Sequence, residues 1–186
     1  MSTNARLAAL AAAALLLGAC ADTTEPATPL EQLRAATAGF QNLQAATAAG
    51  FAQASPCVAV PGLGAMGFHY MLQSRVDATV DPAQPEVLLY APAAGGALQL
   101  LGAEFLVPSD PWDATHTTPP TFDGQVFDDH RAPEARHGIP FGHYELHVWV
   151  WKENASGLYA PFNPAVQCPA GAAAVMSGMH AHTAHG

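Results

Sequence analysis

Nine residues, HYELHVWVW at positions 143–151, alternate without a break. Side chains of a strand point to opposite faces in turn, so i and i+2 share a face. Tyr144, Leu146, Val148 and Val150 form one set; His143, Glu145, His147, Trp149 and Trp151 form the other. Both sets are bulky. A strand with one wet face has no need of imidazoles and indoles on it, so the spacing predicts that both faces are covered. A buried face carrying His and Glu must then supply them with partners, because unpaired polar groups are costly away from water.

Three other runs read as strands, at 66–73, 86–90 and 98–107, with PAAGGA at 92–97 as a hairpin connection between two of them. Two of these runs place one ligand-type residue in an apolar setting. His69 shares its face with Gly67 and Met71, and Glu104 shares its face with Gly102 and Leu106. If the strands are neighbours, His69, Glu104, His143 and His147 converge. Imidazole and carboxylate are suitable ligands for zinc, copper or iron. Gly67 and Gly102 would leave space beside such a site, and Trp149 or Trp151 would wall it from water. Glu145 is set apart, as a partner for Arg75 or Lys152. Two other readings stand beside a metal-holding protein. One is a metal-free binding module, with His69, Trp149 and Trp151 lining an apolar pocket for a small ligand or a protein. The other is a metal-dependent enzyme with one open coordination position.

Ahead of the strands lies a helical pattern. Thr28-Pro29-Leu30-Glu31 offers a cap, a proline at the first helical position and the acid of a capping box. Leu30, Leu33, Thr37, Phe40, Leu43, Thr47 and Phe51 follow at spacings of three or four, as one stripe ending near Gly50. The expectation is an α+β domain: an N-terminal amphipathic helix followed by a mainly antiparallel sheet. A small closed β-barrel with a leading helix is the alternative.

The first twenty residues, MSTNARLAALAAAALLLGAC, combine Arg6, an apolar run and Leu17-Gly18-Ala19-Cys20. That order reads as a lipoprotein signal peptide (1–19) with Cys20 as the lipid-bearing residue. Residues 20–29 then form a tether, 30–169 a single domain and 170–186 a flexible tail. The expected location is the bacterial cell envelope, with the membrane as partner through the lipid. The chain carries 15 acidic and 6 basic residues, a formal net charge of −9, which repels phosphate and excludes nucleic acid as a partner. In an oxidising compartment the remaining cysteines, Cys57 and Cys168, read as a disulfide closing about 110 residues. The tail holds Met176, Met179, His180, His182 and His185, a set suited to weak, flexible metal binding.

Between Pro108 and Pro140 runs a segment rich in Pro, Asp, Thr and His. Its Asp123, Asp128, Asp129, His130 and His137 resemble an oxygen-rich calcium loop but lack EF-hand spacing, so they read as solvated loop. Asn154-Ala155-Ser156 reads as the turn after the last strand, with Gly157 supplying a positive φ. No nucleophile elbow, HExxH, phosphate loop or dinucleotide fingerprint occurs.

GAMGFHY, PEVLLYAP, GAEFLVP and HYELHVWVWKENASGLYAPFNP, taken together, resemble an uncharacterised family of exported bacterial proteins. The resemblance spans roughly Leu33 to Cys168 and includes both paired cysteines. It implies export and one compact domain, and it supplies no catalytic residues.

Overall fold

The computed structural model describes residues 25–135, 138–170 and 173–175. Cys20, His137, Met176, Met179, His180, His182 and His185 lie outside them. Among the described residues, no helix is long and apolar enough to cross a membrane.

The chain opens with helix α1 (Pro29–Thr37). Its capping box forms as expected: Thr28 N–H donates to Glu31 Oε2 at 2.8 Å, and Glu31 N–H donates to Thr28 Oγ1 at 3.3 Å. The single helix expected from the stripe is broken. A 3₁₀ turn at Ala38–Gln41 leads to Asn42, whose extended backbone ends it and whose side chain caps a second helix, α2 (Leu43–Ala48). The break rotates the buried stripe. Ala46 is buried where Thr47 was expected.

Strands β1 (Ala52–Gln53), β2 (Cys57–Val60), β3 (Gly64–Met71), β4 (Val87–Pro92) and β5 (Leu98–Pro108) follow. After a short helix α3 (Ser109–Asp113) come β6 (Thr121–Phe122), β7 (Gln125–Val126), β8 (Asp128–His130), β9 (His143–Val148) and β10 (Ala173–Val175). The main sheet has eight strands in the order β10-β2-β3-β4-β5-β9-β8, with β1 added on β3. Its pairings are antiparallel except β10 on β2, and it is an open sheet rather than a closed barrel. β10 falls within the stretch expected to be a flexible tail.

One sheet face packs on the helices. Leu33, Ala46 and Phe51 meet Leu88, Tyr90, Phe105, Tyr144, Leu146 and Val148 there. The other face carries Val87, Leu89, Leu106 and Trp149, covered by Val76, Phe141, Leu158 and Val166 from connecting segments. Both faces of β9 are therefore covered, and all six of its residues are buried. The Cys57–Cys168 disulfide is present, with Cα atoms 5.6 Å apart across a separation of 111 residues. It ties the start of β2 to the segment leading into β10.

The described part of the 108–140 segment is more ordered than a solvated loop. Phe122 and Phe127 pack on Phe105, with ring centroids 4.7 and 6.2 Å away. Asp123 (φ 50°) and Gly124 (φ 81°) take the positive φ values that a two-residue hairpin needs, joining β6 to β7. Asp129 holds Arg131, and His130 is a strand residue paired with His143. The turn after β9 is as expected: Ser156 N–H donates to Asn154 Oδ1 at 3.0 Å, and Gly157 has φ 122°.

Candidate metal centre

Strand register places the ligand-type residues. Glu104 on β5 lies directly opposite His147 on β9. His69 on β3 is opposite Leu89 on β4, which is opposite Gly102 on β5. β3 and β5 flank β4 and are therefore roughly 9.5 Å apart. The long side chains of His69 and Glu104 close this gap by leaning toward each other over Val87 and Leu89. The result is one compact group. His69 Nε2 lies 3.4 Å from Glu104 Oε2, and His147 Nε2 lies 3.8 Å from the same oxygen. One ligand atom from each of the three residues falls within 4.8 Å of the others, an arrangement that can hold a metal ion.

His143 does not join that group. It sits two strand repeats from His147 along β9 and forms a separate triad with Glu145 and His130. His143 Nε2 is 3.3 Å from Glu145 Oε2, and His130 Nε2 is 3.3 Å from Glu145 Oε1. Glu145 thus takes histidine partners rather than Arg75 or Lys152. Arg75 instead donates to Pro85 O.

The tryptophans separate as well. A tight turn at Trp149, closed by Val150 N–H to Val148 O at 3.0 Å, adds one residue and reverses the alternation. Trp149 stays on the histidine face and donates to Ala160 O. Trp151 crosses to the helix face and donates to Thr37 Oγ1 at 2.9 Å. His69, Trp149 and Trp151 therefore line no common pocket. The glycines also serve another purpose than space beside the site. A Cβ at Gly102 would lie 2.2 Å from Val148 O, and one at Gly67 (φ 98°) would lie 2.4 Å from Tyr90 O. Both permit close backbone approach.

Hydrogen bonding fixes the His69 tautomer. Ser55 Oγ donates to Pro56 O at 2.8 Å, so toward His69 Nδ1, also at 2.8 Å, it acts as acceptor. Nδ1 then carries the proton, and the Nε2 lone pair faces Glu104. A partner that holds one ring nitrogen and frees the other is the usual support of a ligating histidine. Among the described residues, Glu104 Oε2 and both ring nitrogens of His147 are buried and make no hydrogen bond. Such groups are uncommon in folded proteins, since each carries a desolvation penalty.

Burial sets the charges. It lowers His69 to about 3, helped by His147, and it lowers His147. Both rings are therefore neutral at neutral pH, the form that binds metal. Burial also pushes the Glu104 carboxyl well above the usual range, and Glu145 and Glu86 add to the shift. For Glu145 burial acts in the same direction, but the hydrogen bond from His143 and the nearby imidazoles outweigh it and bring the carboxyl down to about 2. Of the two carboxyls, Glu145 is the ionised one. A cation beside Glu104 would reverse its preference.

The sequence picks out the three residues of the first triad but not Ser55, which holds His69. It also misses the pairing of Glu145 with His130, whose strand is only three residues long. The single local signal was Val126, Asp128 and His130 at period two. No protein-family model, curated protein or solved structure matches this chain, and the functional reading rests on the geometry of the site.

Proposed function

We propose that this is an envelope protein that holds a transition metal, zinc above copper or iron, through His69, Glu104 and His147. The observation that carries the reading is the set of distances around Glu104 Oε2. A charge-assisted N–H···O bond closes to about 2.7–2.9 Å. Two ligands at about 2.0–2.1 Å from a tetrahedral zinc lie roughly 3.4 Å apart. The 3.4 and 3.8 Å separations match the edge of a metal polyhedron better than a hydrogen bond. The unsatisfied nitrogens of His147 support the same reading. Two imidazoles and a carboxylate without thiolate suit zinc, and their compact arrangement favours it over tetragonal copper.

Holding fits better than turnover. The side chains of Glu104 and His147 are 6% and 1% exposed, and His69, at 13%, is the contact with solvent. A substrate would have to displace the covering segments, whereas an ion passes by way of His69. The role is sequestration or delivery at the membrane, with the lipid on Cys20 as anchor. Metal analysis tests it, using the full chain with H180A, H182A and H185A so that the tail does not contribute. Zinc should co-purify and fall on adding His147→Ala. Retention of full metal by that variant would refute the assignment. Cys20→Ala should move the protein from the membrane fraction to the soluble one.

A further inference from the structure

We infer that the same sheet face carries a second cation site, built from His130, His143 and Glu145, which binds zinc independently of the first and more weakly. Register assembles it: His130 lies opposite His143, and Asp128 lies opposite Glu145, across the β8–β9 ladder. The two imidazoles stack nearly parallel, with centroids 5.3 Å apart and planes 8° apart. Each points Nε2 at a different oxygen of one carboxylate, at 3.3 Å in both cases.

Tautomer logic repeats here. His143 Nδ1 is 3.1 Å from Phe141 O, a carbonyl that only accepts, so Nδ1 carries a proton. Its Nε2 faces Glu145 Oε2 at 3.3 Å. The His143 side chain is 0% exposed. A proton bridges this contact in the metal-free protein and a metal would replace it; both 3.3 Å edges are close to the roughly 3.4 Å of a tetrahedral zinc.

The two positions follow one another along β9. His147 serves the first, and Glu145 and His143 serve the second. Residues i and i+2 of a strand are roughly 7 Å apart, so the sites are neighbours without sharing a ligand. Their strengths differ for a structural reason. Glu104 Oε2 and the nitrogens of His147 have no hydrogen bonds to give up, whereas His143 and Glu145 are already bonded to each other. A metal entering the second site must break that contact first.

Zinc titration of the full chain carrying H180A, H182A and H185A tests this, with His116→Ala as an exposed-histidine control. Two equivalents should bind in two steps, the second at least tenfold weaker. His143→Ala should lose the weaker step, and so should His130→Ala, which alters an edge strand and keeps the test available if the buried change impairs folding. His147→Ala should lose only the tighter step. One equivalent that survives in His130→Ala and is lost in His147→Ala would overturn the second site and leave the first standing. One equivalent lost in His130→Ala and kept in His147→Ala would uphold the second site while sinking the first. No bound zinc would overturn both.

Discussion

Replacing Ser55 by alanine isolates tautomer control from ligation itself. The hydroxyl donates to Pro56 O and accepts from His69 Nδ1, each at 2.8 Å. In Ser55→Ala the Nδ1–H loses its acceptor. The ring is then free to rotate and to place its proton on Nε2, where it cannot ligate. Loss of such an orienting partner costs about 10- to 100-fold in metal affinity, or about 1.4–2.8 kcal/mol. The metal-free fold should lose far less, about 1 kcal/mol, because the net worth of one hydrogen bond is small. Competition for zinc against a chromophoric chelator reads the first quantity, and urea unfolding of the metal-free protein reads the second. Ser55→Thr keeps the hydroxyl and should bind as the parent does. Unchanged zinc affinity in Ser55→Ala would refute the argument that Ser55 orients a ligand.

Further tests probe the scaffold. Gly102→Ala would bring a Cβ to 2.2 Å from Val148 O, a backbone atom, so β5 and β9 must part. It should destabilise the protein by about 1–3 kcal/mol and weaken zinc binding, and an unperturbed variant would contradict the close approach. Replacing Cys57 and Cys168 by serine should lower stability by up to about 4–5 kcal/mol, the loop-entropy value for a separation this long. An unchanged urea midpoint would contradict the staple. Glu86 is pushed up to about 8 by burial, partly offset by the Leu106 N–H, against an ordinary value of 4.5. The fold favours its neutral form. Its contribution to stability is therefore full below pH 4.5 and falls as pH rises toward 8, by up to about 1.4 kcal/mol per pH unit. Glu86→Gln should flatten that decline in metal-free protein, and an unaltered slope would contradict it.

How far the sequence carried the fold and the site can be judged from β9. Its alternation correctly required two covered faces, since period two is a local property of the backbone. The turn at Trp149 that sends Trp151 to the helices was not visible. It depends on β9 meeting the β5 backbone at Gly102, a contact between residues distant in sequence. The convergence of His69, Glu104 and His147 was legible because each interrupts an apolar run. The position of His143 was not, because a shared face does not say which neighbour along a strand a residue will meet. His130 was hidden for a related reason. Three residues of strand in a proline-rich segment give too little periodicity to be distinguished from loop. In the helix the capping box was explicit, whereas the break at Asn42 rests on a capping side chain inside an otherwise helical pattern.

The most direct test of the central claim is X-ray absorption at the zinc edge. It needs one equivalent of metal bound to the full chain with its tail histidines replaced. The account predicts a first shell of nitrogen and oxygen at about 2.0–2.1 Å. It also predicts the outer-shell pattern of two imidazoles, reduced to one in His147→Ala. A shell dominated by water oxygens, or an imidazole signal unaltered by His147→Ala, would contradict it.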